Sequence, residues 1–299
     1  MIRPGFLRRI GCLALAWSLA GCQSSAPPPK GYFGPTLSID RLIDAVNRNN
    51  SQLATLWAHH DFEATVVDPK THKSRFVNGY GTLLYQHPMS MRLVAKKEVT
   101  DLFDMGSDGK NYWLRLVPDQ DTFWWGSLSE LDSATTEQIP IRPDLIIEVL
   151  GIRPISSSLM QAPVPVLRFN HDADAYMLVW QVPRGDHWMA QKEIWYDRAT
   201  LHPTLILLFD QDGRVVLRAW LSAFKPVRIA DVPEEQWPAV ATHYRLFFPQ
   251  TGTKMSFSLS DVSRSHGGFP KAISFRMPDV AKLADSGVKV IHIDETSGS

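Results

Sequence analysis

Three short groupings in this 299-residue chain have the residue types and spacing of reaction centres. Ser222-Ala-Phe-Lys225 matches the Ser-x-x-Lys pattern, in which a lysine assists a serine nucleophile. His59-His60-Asp61 and His171-Asp172-x-Asp174 group imidazole with carboxylate, the ordinary donors to a divalent metal. Their setting weakens all three. Ser-x-x-Lys chemistry needs a helix N-terminus and companion Ser-Asp-Asn and Lys-Thr-Gly elements, whereas here the four residues close a strand pattern. Both His/Asp groups fall at element boundaries without the i, i+4 spacing of helix-borne ligands, and Asp172 and Asp174 lack the glycine and distal glutamate of a calcium loop. His-Glu-x-x-His, Gly-x-Ser-x-Gly and a phosphate loop are absent from the sequence. The expectation is a protein that is not an enzyme, with no catalytic residues, no metal and no cofactor.

The more unusual chemistry is aromatic. Trp57, Trp113, Trp124, Trp125, Trp180, Trp188, Trp195, Trp220 and Trp237 fall mostly in strand-like segments. Large aromatics favour strands and fill cores, and on a curled sheet they can also line a cavity for acyl chains.

These side chains need a scaffold, and the N-terminus is not part of it. Arg3, Arg8 and Arg9 precede an apolar stretch, Ile10 to Ala20, too short to span a bilayer, followed by Leu19-Ala20-Gly21-Cys22. That order is a secretory signal, and its end resembles the bacterial lipobox, which implies acylation of Cys22, palmitate included, and removal of residues 1–21. Cys12 leaves with the leader, so the mature chain has no disulfide and depends on its core. The leader carries three arginines and no acid, which leaves a formal charge of −3. Neutrality of this kind, without a basic patch, speaks against nucleic acid as a partner. Gln23 in place of an aspartate after the cysteine is what the lipobox resemblance associates with the outer membrane, facing the periplasm. Residues 22–37, with Pro27-Pro28-Pro29, form an extended tether.

From Ser38 the periodicity predicts a helix, with Ile39, Leu42, Ile43 and Val46 on one face, and Leu53, Leu56 and Trp57 extending the same apolar face after the Asn-rich break at Asn47 to Asn50. Alternating strand-like runs then follow at Phe62–Val67, Arg75–Tyr85, Met89–Val94, Val99–Met105, Asn111–Val117 and Thr122–Gly126. Arg142-Pro143-Asp144 opens a second helix with Leu145, Ile146, Val149 and Leu150 as its apolar face and Gly151 at its end. Further strands are expected at Val166–Phe169, Ala175–Val182, Met189–Tyr196, Thr204–Phe209, Val215–Phe224, His243–Phe248 and Lys254–Leu259, with no internal repeat. About a dozen strands and two helices predict a mainly β (α+β) fold: one large curved antiparallel sheet, an unclosed half-barrel covered by a few short helices.

Gly81-x-Leu83-x-x-x-x-Pro88-x-x-x-Arg92-Leu93, then Phe103-Asp104-x-x-x-Asp108-Gly109-x-x-x-Trp113-x-x-x-Pro118, then Arg142-Pro143-Asp144-Leu145-x-x-x-x-Leu150-Gly151, resemble the LolA/LolB-like lipoprotein carriers and receptors over most of residues 38–260. The segment Trp195-Tyr196-Asp197 to Ala219-Trp220 is similar to their second set of strands. The resemblance implies a half-barrel with helices over its mouth that holds the acyl chains of lipids or lipoproteins. Residues 38–299 are then the lipid-binding domain, with Trp113, Trp124 and Trp125 as a cavity wall and Leu145, Ile146 and Val149 as the inner face of a lid helix. The alternative is an assembly lipoprotein that holds an envelope protein partner on its sheet surface, with a filled interior and an exposed apolar patch.

Overall fold

The computed structural model describes residues 35–67, 71–117, 121–131, 139 and 141–294. Residues 1–34, on which the expected leader, Cys22 and most of the expected tether fall, lie outside the described residues.

Helix α1 (Ile39–Asn50) leads into six strands, β1 (Thr55–Val67), β2 (Ser74–Gln86), β3 (Ser90–Lys97), β4 (Thr100–Asp108), β5 (Asn111–Leu116) and β6 (Thr122–Ser127). Helix α2 (Pro143–Val149) separates these from β7 (Val164–Asn170), β8 (Ala175–Arg184), β9 (His187–Asp197), β10 (Pro203–Phe209), β11 (Val215–Pro226), β12 (Ala239–Phe248) and β13 (Thr253–Ser263). Helix α3 (Val280–Asp285) and β14 (Lys289–His292) end the described chain. All fourteen strands form one sheet in the order β14-β6-β5-β4-β3-β2-β1-β13-β12-β11-β10-β9-β8-β7, with β14 and β7 at its two edges. It is an open half-barrel with three short helices, as the patterning predicts. The pairing is antiparallel except at one place: β14 runs parallel to β6, with Val290 opposite Phe123.

Helix α1 buries Leu42, Ile43 and Val46 as their spacing requires. It does not continue to Leu56 and Trp57, which begin β1 instead. The stop has a chemical cause. Asn47 bonds both the carbonyl and the amide of Ile155, Asn49 does the same with Ala239, and the Asn50 amide reaches the carbonyls of Gly151 and Arg153. Three asparagine side chains are therefore committed to neighbouring loops at the point where the helix ends.

Alternation sets the two faces. Along β1, His60, Phe62 and Ala64 are buried under the helices and His59, Asp61 and Glu63 are exposed on the other side. The inner face carries the main core, in which α1 and the α2 residues Ile146, Ile147, Val149 and Leu150 cover apolar side chains from both halves of the sheet. The outer face has a smaller core of Trp113, Phe123 and Val288, with Trp125, Val280, Leu283 and Val290 against it. The C-terminal segment forms this second layer. Ile293 N–H donates to the Trp125 carbonyl at 2.9 Å, and the Ser127 N–H donates to Asp294 at 2.7 Å.

One position on β2 lets the inner face close up. A Cβ at Gly81 would lie 1.8 Å from the Val94 carbonyl oxygen of β3. Across the other side Gly81 pairs with His60, whose Nε2 donates to that same carbonyl at 2.9 Å. The missing side chain makes a slot through which an imidazole from β1 passes over β2 to bond β3.

Candidate functional site

The sequence-singled residues separate by face. Trp124 lies on the inner face of β6, 7% exposed, in the same core as Ile146 and Val149, with Leu145 half-buried against it. Trp113 and Trp125, one position either side of the inner-facing pair Leu114 and Trp124, point to the outer face. Trp113 donates from its indole N–H to Asp104 at 3.4 Å, and Trp125 stacks on His292 with ring centroids 3.8 Å apart. Four of the six residues are thus brought together and two support the opposite layer. Of the weaker candidates, His59 and His60 project to opposite faces of β1, and Ser222 and Lys225 are exposed on β11 without a helix at the serine.

Helix α2 is the part of the inner-face cover that is held by charged side chains. It has only seven residues and packs on β4 and β5. At its start Arg142 grips Asp144 through two hydrogen bonds, at 3.1 and 2.7 Å. Near its end Glu148 accepts from Arg153 in the following loop and from Lys192 on β9, the latter at 2.7 Å. Lys192 also lies 4.7 Å from the Trp180 ring centroid. Burial and, after it, the neighbouring Arg153 cation push the Lys192 ammonium down to about 7. The helix is therefore fastened to the second half of the sheet by one carboxylate shared between two cations. Gly151 adopts φ +68° immediately after the helix, a conformation glycine takes without cost.

Beneath α1 and α2 the inner face is apolar with a few buried donors. The hydroxyls of Tyr85, Tyr112 and Tyr244 are buried without a hydrogen-bond partner among the described residues. Burial pushes Tyr85 and Tyr112 up to about 12 and raises Tyr244 further, so each stays a neutral O–H donor. Such donors suit a carbonyl oxygen in an apolar molecule, because an unmet buried donor is costly. A cavity of about 140 Å³ opens between α1 and the turn joining β9 to β10, lined by Val46, Asn50, Leu201 and His202 among others. That is below the roughly 300–1,000 Å³ of a small-molecule site, so a ligand on this face must displace a helix.

No protein-family model matches this chain, and no curated protein matches it. Solved structures similar to it include a DUF1329 family protein from Desulfovibrio piger, 12% identical over 84% of this chain and 99% of that one, with a TM-score of 0.48. A LolA superfamily protein from Nitrosomonas europaea is 12% identical over 81% of this chain and 99% of that one, TM-score 0.48. A protein described as an outer membrane lipoprotein-sorting domain, from Vibrio parahaemolyticus, is 11% identical over 78% and 94%, TM-score 0.48. These neighbours are thus a DUF1329 family protein, a LolA superfamily protein and a lipoprotein-sorting domain. At such identities and TM-scores no residue's role carries across, and the chain's own geometry has to supply its function.

Sequence reasoning missed Tyr85, Tyr244, Glu148 and Lys192. It also missed a group of cations on the outer face, Arg218, Arg245 and Lys254. Arg218-x-Trp220 and Arg245-x-Phe247 are visible as alternate positions in two strands, but only the register places them side by side.

Proposed function

We propose that this chain is a non-enzymatic envelope lipoprotein that binds lipid or lipoprotein acyl chains on the inner face of its half-barrel. Cys22 would carry the anchor, residues 22–37 the tether and residues 38–299 the binding domain, with the protein at the outer membrane and facing the periplasm. The observation that carries the reading is the combination on the inner face: one apolar core shared by the sheet and the seven-residue helix α2, with buried tyrosine hydroxyls whose donors are unused. An acyl chain would replace Ile146 and Val149 against Trp124, and its ester or amide carbonyl would accept from Tyr112 on the adjacent β5. Trp113 and Trp125 would brace the wall from behind.

The test is native mass spectrometry with solvent extraction on the mature chain carrying Cys22→Ser, purified without detergent. A copurifying lipid near one per chain, reduced by Leu145→Asp while the fold persists, supports the reading. A chain that is empty and takes up no fluorescent fatty acyl probe refutes it and favours the alternative, a scaffold for an envelope protein partner.

A further inference from the structure

A second cleft is not under the helices. It lies on the outer face at the middle of the sheet, spans β2, β1, β13, β12 and β11, and has a volume of about 530 Å³, within the range of small-molecule sites.

Register defines what it presents. In one row Arg218 sits opposite Phe247, which sits opposite Lys254, which is followed by Thr65 and then Phe76. In the next row Trp220 sits opposite Arg245, followed by Ser256 and Glu63. Arg245 is two residues from Phe247, so it lies diagonal to both Arg218 and Lys254, at roughly 7–8 Å between backbones. Three cations therefore surround one phenylalanine. Aromatic side chains close the two ends, Trp220 at 37% exposure on β11 and Phe76 at 62% on β2. Arg245 lies 5.6 Å from the Trp220 ring centroid, which leaves its guanidinium edges open.

Charge distinguishes this patch from the part of the outer face on β3 to β5. On β3 and β5, Arg92 pairs with Asp104 and Arg115 with Asp121, each at 2.8 Å. Arg218, Arg245 and Lys254 make no ion pair among the described residues, and the cleft holds a single acid, Glu63. A concave site with three free cations is complementary to an anion, and its exposed aromatic ends require that anion to carry apolar groups. An acidic peptide fits less well. These are interior strands whose backbone groups are already spent on neighbouring strands, so a peptide would gain no main-chain bonds there.

The geometry points to this outer-face cleft as a binding site for an anionic glycerophospholipid, with the phosphate between Arg218, Arg245 and Lys254 and the acyl-glycerol part along Phe247 toward Trp220 and Phe76. The site is separate from the inner face and does not depend on the acyl-binding proposal. It gives the domain a charge-selective contact with a membrane surface in addition to any lipid anchor.

The experiment titrates the full chain with dihexanoyl phosphatidylglycerol, dihexanoyl phosphatidylcholine and inorganic phosphate by calorimetry, each below its micellar concentration. It compares wild type with Arg245→Gln/Lys254→Gln, whose side chains are exposed, and with Leu145→Asp on the lid helix. The expected result is that phosphatidylglycerol binds at least tenfold more tightly than either other probe. The double variant should lose at least that factor at unchanged thermal stability, and Leu145→Asp should not. Equal binding of phosphatidylcholine, or undiminished binding by the double variant, overturns the proposal, as does phosphate binding as tightly as the lipid. Loss confined to Leu145→Asp would assign the lipid to the inner face. Tighter binding of an oligoglutamate peptide would make the cleft a protein-docking site and equally overturn it.

Discussion

Gly81→Ala should be among the most damaging single-methyl additions this fold can receive. In an ordinary strand the change is mildly stabilising, by roughly 0.4–1 kcal/mol, because alanine has less freedom to lose. At Gly81 the new methyl would lie 1.8 Å from the Val94 oxygen and 3.0 Å from the Ala95 Cα. Both are backbone atoms of the strand paired to it, so no side chain can rotate away. Overpacking of this kind costs roughly 1–3 kcal/mol, and losing the His60 bond to the same carbonyl adds about 1, for a total of about 2–4 kcal/mol. At roughly 2–4 °C per kcal/mol for a domain of this size, the Tm should fall by about 4–16 °C. Gly79→Ala should cost less, because one of its two closest contacts, at 2.6 Å, is the movable end of the Leu102 side chain. Thr82→Ala, facing the other way, should change stability by less than about 0.5 kcal/mol. Thermal melts followed by near-ultraviolet circular dichroism test the ranking. A Gly81→Ala protein as stable as wild type would refute the close approach of β2 to β3 and the imidazole slot with it.

Glu148→Gln leaves Arg153 and Lys192 without a shared counter-charge in a half-buried site. It should cost about 3 kcal/mol in urea unfolding and speed uptake of a fluorescent acyl probe by loosening the lid. Burial lowers the His60 pKa, outweighing its Val94 bond and Asp61. The unfolded chain then binds the proton first, so stability from this residue is complete above the ordinary histidine range and is lost as pH falls below it. His60→Asn should flatten the part of a stability-against-pH curve that lies just below pH 6.5. Trp125→Ala removes the stack on His292 and should cost about 2–3 kcal/mol, while acyl binding on the inner face stays within twofold of wild type. A large loss of binding without loss of stability would put Trp125 in the inner site after all.

Much of the architecture was legible because its signals are local. Alternation located β1 to β13, Pro143 and Gly151 bracketed α2, and the spacing of Ile39, Leu42, Ile43 and Val46 marked α1. The Asn-rich break at Asn47 to Asn50 was visible, but that it ends α1 for good and hands Trp57 to β1 was not, because those asparagines act through residues distant in sequence, such as Ile155 and Ala239. β14 is four residues long, too short to show a period, and its partner β6 is far away in the chain. Side-chain direction within Trp124-Trp125 followed from pairing with Leu114 and Trp113, which no local pattern contains. The outer cleft was invisible for the same reason: its cations come from three strands, and what groups them is register rather than spacing.

The central join of the sheet has a kinetic meaning. β1 is made early, yet its second neighbour is β13, with Thr65 opposite Lys254 and Trp57 opposite Ser263. The two runs on either side, β1 to β6 and β7 to β13, are hairpins between sequence neighbours and form quickly, whereas the β1–β13 seam must close a loop spanning most of the domain. Until residues 253–263 arrive, β1 presents an unpaired edge in what will become the middle of the sheet. The central seam of the half-barrel therefore cannot close before β13 is available, so the pace of the finished sheet is set by this long-range pairing.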